Sequence, residues 1–259
     1  ALSEGNHSFT ATATDAAGNT SGATTPFVTT IDTSAPAAPG SLTAPEDSNG
    51  GVNAAEVISG GGVPVSVPLT GTGANAPVAG DVITLTVDDP TTNTPITISY
   101  TLTPADIAAG SASVLVPTAD IPVDGVYNLS AIITDAAGNV SPASTGSFTV
   151  DKTAPNAGTG GLSSSSDTLN STALDNLTSD NTPILSGTAE AGSTVEVTIN
   201  GVTYPATLTG TTWTLDIPAG APLPDGNYTP SIKVTDAAGN STTSTGTAFT
   251  VDTSAPALM

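Results

Sequence analysis

The residues of this chain with chemistry to offer are carboxylates, and they recur in register. The hexapeptide TDAAGN stands at Thr14–Asn19, Thr134–Asn139 and Thr235–Asn240. Each copy is followed by D-[TK]-[ST]-A-P, at Asp32–Pro36, Asp151–Pro155 and Asp252–Pro256, the second aspartate standing 17, 16 and 16 positions after the first. Carboxylates held within a few ångströms repel one another unless a cation joins them. Ca²⁺ accepts about six to eight oxygens from carboxylates, Asn side chains, carbonyls and water. Mg²⁺ demands tighter octahedral geometry, and Zn²⁺ favours Cys and His. The chain has no cysteine and one histidine, His7. Calcium is therefore the cation that this donor set suits. Asp, Gly and Asn are also turn formers, so a plain hairpin turn accounts for D-A-A-G-N alone, but not for its synchrony with a linker aspartate.

Charge narrows the partners. There are 23 acidic residues against two lysines (Lys152 and Lys233) and no arginine, a net charge of −21. Nucleic acid and anionic membrane surfaces need Lys or Arg to neutralise them, so the charge argues against both and for a cation partner or simple solubility. No Ser/His/Asp set, phosphate-binding loop or His-containing metal cluster occurs, and the paired acids fall at predicted domain poles rather than in a cleft. Catalysis is not expected. A glycan- or host-protein-binding module is the alternative, disfavoured because the single Trp, four Tyr and four Phe mostly fall at core-phased positions.

The elements that must position these acids are short strands. Hydrophobic residues make up 37% of the chain and aromatics 3%, so the cores rest on Val, Ile, Leu and Ala. Abundant Thr, Ser, Gly and Pro, without long helical periodicity, predicts an all-β architecture. The turn recurs after 120 and then 101 residues, which makes the repeat a whole domain of about 100 residues. We read residues 1–31 as the last two strands of a truncated domain, 32–150 as a complete domain with an N-terminal insert, 151–251 as another, and 252–259 as a linker onward. The linker proline holds the alanine before it extended, so neighbours sit end to end.

The spacing predicts strands at Val63–Gly71, Val82–Val87, Ile96–Leu102, Ala112–Val116, Tyr127–Thr134 and Ser147–Val150 in the second domain. In the third it predicts Pro183–Ala189, Thr194–Asn200, Thr203–Leu208, Trp213–Ile217, Tyr228–Thr235 and Thr247–Val251. This is the pattern of a Greek-key β-sandwich. Trp213 reads as core. Tyr127 and Tyr228, each eight residues before a turn aspartate, read as tyrosine corners, and His7 fills the same slot.

The two repeated motifs, together with SDNTPILSGTAEAGSTVEV (Ser179–Val197), resemble the bacterial immunoglobulin-like repeats of giant adhesins and biofilm-associated surface proteins exported by type I secretion. The resemblance covers essentially the whole chain, although GTGANAPVAGDV (Gly71–Val82) departs from the third domain's GTAEAGSTV. It implies tandem immunoglobulin-like sandwiches forming an extracellular rod, with Ca²⁺ at the domain junctions. The partners it implies are neighbouring repeats of the same chain, with any host or surface ligand bound elsewhere in a longer protein.

In such a sandwich the incoming linker, the second-to-third strand loop and the final turn share one pole. That gathers Asp151, Glu190, Asp236 and Asn240 in the third domain, and Asp32, Asp81, Asp135 and Asn139 in the second. The opposite poles carry Asp124, or Asp225 with Asp180, and Asp252 repeats the linker position. Stacking would bring Asp124, Asp151, Glu190 and Asp236 to one junction. A second candidate, EDSNGGVNAAE (Glu46–Glu56), partly resembles an EF-hand loop. Asp47, Asn49, Gly50 and Asn53 take positions three, five, six and nine, with the Gly51 carbonyl at seven and Glu56 at twelve. Pro45 stands at position one, where Glu46 is the substitute ligand. Asp167, Asp175 and Asp180 form a comparable acidic leader in the third domain.

Overall fold

The computed structural model describes residues 2–59, 61–91, 94–167 and 175–255. Part of the acidic leader (168–174) and Pro256 of the third linker motif lie outside the described residues. The chain divides into two compact units: Ala1–Pro45, Pro64–Val116 and Val126–Phe148 form one, and Glu46–Val63, Pro117–Gly125 and Thr149–Met259 the other.

The strands most of the first unit is built from are β1 (Gly5–Phe9), β2 (Phe27–Ile31), β3 (Gly62–Pro68), β4 (Val82–Asp88), β5 (Pro95–Thr101), β6 (Ser111–Pro117), β7 (Gly125–Thr134) and β8 (Ser144–Val150). β5-β4-β7-β8 make a four-stranded sheet, β3-β6 a two-stranded one, and β1-β2 a separate hairpin. Period-two alternation builds the core. Ile83, Leu85 and Val87 on β4 lie opposite Ile133, Ala131 and Leu129 on β7, and all six are buried. The Tyr127 ring stacks on Phe148 with centroids 5.3 Å apart. All six strands expected here form, with ends shifted by a few residues at most. Two helices, α1 (Ala54–Ser59) and α2 (Pro104–Ala109), were not expected. The α2 signal is local: Thr103 caps it in a reciprocal box with Asp106, next to an N-terminal proline.

The second unit contains β9 (Thr159–Leu162), β10 (Leu177–Thr178), β11 (Ile184–Thr188), β12 (Thr194–Ile199), β13 (Val202–Thr209), β14 (Thr212–Asp216), β15 (Gly226–Tyr228), β16 (Ser231–Thr235), β17 (Ser241–Thr245) and β18 (Phe249–Val251). Among the described residues, β17-β16-β12-β13-β14-β11-β9 form one run of paired strands and β10-β18-β15 another. β13 joins two sheets, because Val202–Ala206 pairs with β12 and Thr207–Thr209 with β14. The expected single strand Tyr228–Thr235 is broken into β15 and β16, which pair with β18 and β12 respectively. Pro230 lies at the break and has no N–H to continue a ladder. β9, β10 and β17 escaped the sequence reading, being short and rich in Gly, Thr or Ser.

One core cluster runs through the inner faces of this unit, from Leu185, Val195 and Val197 to Ile232, Val234, Phe249 and Val251. Trp213 is 0% exposed, and its Nε1–H donates to the Thr159 carbonyl at 2.9 Å. Indole burial and a satisfied N–H confirm its core role. The tyrosine corner is also present: the Tyr228 hydroxyl donates to the Pro224 carbonyl at 2.7 Å. His7 makes the same four-residue step, with Nε2 2.5 Å from the Ser3 carbonyl oxygen. Among the described residues no helix is long and apolar enough to cross a membrane.

Trp213→Ala should destabilise the second unit by about 3–5 kcal/mol, the usual range for deleting a buried aromatic side chain. Chemical denaturation followed by circular dichroism measures this, and a loss under about 1 kcal/mol would contradict the core assignment.

Candidate functional site: the turn and the linker

Each D-A-A-G-N turn is a small cage closed on its own aspartate. In the middle copy Asp135 Oδ1 accepts the N–H groups of Ala137 and Asn139 at 2.9 and 2.8 Å. Its Oδ2 accepts the Asn139 side-chain amide at 2.8 Å. The first copy repeats this, with Ala17 and Asn19 donating to Asp15 Oδ1, and Asn19 Nδ2 to Oδ2, all at 2.9 Å. In the third, Asn240 donates to Asp236 through its backbone at 2.9 Å and its side chain at 3.1 Å. The glycine takes φ of +92°, +91° and +96° in the three copies, a region that suits only a residue without Cβ. Asp, Gly and Asn therefore each have a fixed task in the turn.

The same asparagine reaches the linker. Asn139 Nδ2 donates to the carbonyl of Asp32 at 3.2 Å, and Asn240 Nδ2 to the carbonyl of Asp151 at 2.8 Å. The turn and the linker are therefore joined directly, but the partner is the linker that enters the same domain far upstream, not the one that follows the turn: a side-chain amide of the turn reads that linker's backbone carbonyl. The linker aspartate bends its own chain, accepting the N–H two residues on: Ser34 for Asp32, Thr153 for Asp151 and Ser254 for Asp252, at 3.1, 3.1 and 3.0 Å.

A second carboxylate grips the linker from the loop before the penultimate strand. Asp124 accepts the Lys152 N–H at 2.9 Å and the Thr153 hydroxyl at 2.5 Å. Asp225 accepts Thr253 N–H at 2.9 Å, the Thr253 hydroxyl at 2.7 Å and the Ser254 hydroxyl at 2.8 Å. Glu4 holds the Ser34 hydroxyl at 2.5 Å. These hydroxyls explain the [ST] of the linker motif.

Sequence reasoning missed the role of Lys152. Its ammonium donates to the carbonyls of Ile121 and Pro122 at 2.9 and 2.8 Å, beside Asp124. The signal was available: one of only two lysines lies inside an acidic motif, where the other copies carry Thr33 and Thr253. Burial pushes the Asp124 carboxyl up, but the Thr153 hydroxyl, the Lys152 amide and the Lys152 charge outweigh it and hold the pKa below the ordinary value. The hydroxyl of Thr253 leads in lowering Asp225, and the Asn139 amide leads in lowering Asp135.

The remaining predicted residues are spread along these segments. Glu190 Oε2 accepts the Asn156 N–H at 3.1 Å. Asp81 is buried and accepts the Val78 N–H at 2.9 Å. Asp180 accepts the Thr182 N–H at 2.8 Å, and Asp175 that of Leu177 at 3.1 Å. The EF-hand-like stretch folds differently from a calcium loop: Pro45–Asn49 is a 3₁₀ turn and α1 follows. Asn53 Oδ1 caps α1 through Ala55 and Glu56 N–H, and Glu56 Oε2 accepts Asn53 N–H at 2.9 Å. Asp47 Oδ1 accepts the Thr149 N–H at 3.1 Å. With its amide oriented to donate, Asn49 reaches the Glu46 and Gly51 carbonyls at 3.0 and 3.2 Å.

Among the described residues no three Asp, Glu or His side chains gather so as to hold a metal ion; the carboxylates lie instead one by one along the linker. Among the described residues, two buried carboxylate oxygens, Glu46 Oε2 and Asp167 Oδ2, have no hydrogen-bond partner. Buried acceptors in this condition are costly, and an oxygen-seeking cation would satisfy them. The donor chemistry fits Ca²⁺ there.

Residues 36–152 and 154–253 each match a family model described as a bacterial Ig-like domain. The chain belongs to the bacterial Ig-like domain family. Similar solved structures include a tetra-tandem repeat from the extending region of a large adhesion protein, at 23% identity and TM-score 0.35, covering 97% of this chain and 58% of that one. Another is a Ca²⁺-stabilized adhesin that helps an Antarctic bacterium bind ice, at 31% identity and TM-score 0.44, covering 96% and 57%. A third is from a 1.5-MDa bacterial ice-binding adhesin, at 27% identity and TM-score 0.42, covering 93% and 71%. The Ig-like chain thus spans under three fifths of the first two. No curated protein matches it.

The depressed Asp135 pKa has a pH consequence. A carboxylate whose folded pKa lies below its unfolded value contributes stability that is present above the unfolded pKa, about 3.9 for Asp, and lost as pH falls through the folded pKa. Carboxyl ¹³C titration should place Asp15 and Asp135 below the ordinary midpoint, and Asn139→Ala should move Asp135 back toward it. An unmoved Asp135 midpoint would show that Asn139 is not the cause.

Proposed function

We propose that this chain is a stalk segment of a large bacterial cell-surface adhesin, in which consecutive Ig-like domains are joined by gripped linkers and stabilised by Ca²⁺. The domains run 32–150 and 151–251, following the end of a preceding one, and work outside the cell in adhesion or biofilm formation after type I export. Their role is structural rather than catalytic, and the adhesive ligand is bound elsewhere in the longer protein. The observation that carries this reading is the repeated two-sided grip. Asn139 and Asn240 hold linker carbonyls from one side, while Glu4 and Asp124 hold the same linkers from the other. A linker built only to tether has no use for such contacts.

Calcium is supported by the oxygen-only donors, the net charge of −21 and the two orphaned carboxylate oxygens. Glu46 with Asp47, and Asp167, are the first residues that would hold it. Asp32, Asp124, Asp151, Glu190, Asp225, Asp236 and Asp252 line the linkers as further donors. An ion bound only by the folded state stabilises it by RT ln(1 + [Ca²⁺]/Kd), about 2.7 kcal/mol at a hundredfold excess. Extracellular modules bind with Kd of roughly 10⁻⁴–10⁻³ M, so such sites fill outside the cell and empty in a low-calcium cytoplasm.

Calorimetry in millimolar Ca²⁺ and in chelator should show a Ca²⁺-dependent rise in melting temperature, weakened by Glu46→Gln and Asp167→Asn. Small-angle scattering should show a larger maximum dimension with Ca²⁺. No binding heat and an identical melting curve would remove calcium from the proposal, and an unchanged scattering profile would remove the stiffening role.

A further inference from the structure

Three copies of one turn, each closed by its asparagine on its aspartate, differ in what lies over the second alanine. Ala17 and Ala137, the second alanines of the first two copies, are exposed. Ala238, at the same place in the third, is 0% exposed. What covers it is the loop after the Pro45–Asn49 turn, which belongs to the same compact unit.

The fit is close at every position. Gly50, at φ +112°, lies so near the turn that a Cβ there would stand 3.0 Å from Ala237 Cβ and 3.1 Å from its carbonyl oxygen. A Cβ on Gly51 would meet Ala238 Cβ at 3.5 Å. Asn53 Nδ2 donates to the Ala238 carbonyl at 2.8 Å, and Asn240 Oδ1 accepts the Ala54 N–H at 3.4 Å. Asn53 is divided by atom: its Oδ1 caps α1, leaving Nδ2 for the turn. Asn240 is shared likewise, its Nδ2 on Asp236 and the Asp151 carbonyl and its Oδ1 on the loop.

We propose that the DAAGN turn is a docking surface as well as a turn: its second alanine is the knob, and its partner is a Gly-Gly-x-Asn loop of the preceding repeat, here Gly50–Asn53. The small residues then have a physical reason: a Cβ at 50 would press on the Ala237 backbone, Gly51 at φ +141° holds a conformation that other residues rarely adopt, and Ala238 has no exposed surface into which a larger side chain could extend. The contact is made wholly by protein atoms, so it latches loop to turn with or without a cation. It rests on the stalk reading only for its purpose, the order in which repeats follow one another; the latch itself stands apart from calcium.

The test is amide hydrogen exchange of the whole chain, run in Ca²⁺ and in chelator. Asn53→Asp keeps the helix cap but sets an acceptor against the Ala238 carbonyl. It should raise exchange at Val52–Ala54 by roughly three- to tenfold, the loss of about one hydrogen bond, in both buffers. Ala238→Leu should do the same, while Ala137→Leu, in the exposed turn, should leave its surroundings unchanged. The double variant Asn53→Asp/Ala238→Leu should show little more than either single change, as for two halves of one contact. If Ala238→Leu also exposes the β12–β16 ladder, Asn53→Asp alone decides. Unchanged exchange at 52–54 in Asn53→Asp overturns the latch, as does an effect of that variant confined to calcium buffer. Neither result bears on whether Ca²⁺ binds the chain.

Discussion

A single side-chain amide connects the local turn to the chain that enters it. Asn139 and Asn240 each donate both to the turn aspartate and to a linker carbonyl. The aspartate fixes the asparagine, the asparagine fixes the linker, and the glycine at positive φ allows the turn to close. None of the three can change without releasing the others, which accounts for a motif kept letter by letter while the strands around it drift.

The acidic character takes on a specific form once the partners are known. With two basic side chains in 259 residues, the carboxylates find few ion pairs; Lys233 with Glu196 at 3.3 Å is an exposed one, of the kind that contributes little. Instead they accept from backbone N–H groups and from Thr and Ser hydroxyls, the charge-assisted bonds that are stronger than neutral ones. Lys152 supplies positive charge to the Ile121 and Pro122 carbonyls, where the other linkers carry threonine. Glu46 and Asp167 keep an oxygen unpartnered, and that places the electrostatic question of cation binding on them more than on the turns.

Much of this was legible beforehand. Period-two alternation located β4, β7, β11, β12 and β14, because burying one face of a strand forces that pattern. The tyrosine slot was visible from its constant distance to the turn aspartate. The break of β15–β16 at Pro230 was written in the sequence but needed the sheet partners to be understood. The EF-hand-like spacing has a second use, because Asn and Glu three residues apart also make a helix capping box, and Asn53 and Glu56 form one at α1.

The sequence by itself determined which residues bend the chain, which face inward and which acids travel together, since turn chemistry and burial act over a few neighbouring residues. Only the tertiary structure decided what the acids do. Whether Asp236 meets a second carboxylate or its own asparagine depends on directions set by strands far apart in sequence. Spacing brought Asp124, Asp151, Glu190 and Asp236 to adjoining segments; the fold gave each its own hydrogen-bond donors, Asn240 of the turn for Asp236 and groups of Lys152, Thr153 and Asn156 for the other three. The burial of Ala238 beside the exposure of Ala137 makes the same point, because identical pentapeptides differ only in what the rest of the chain lays over them.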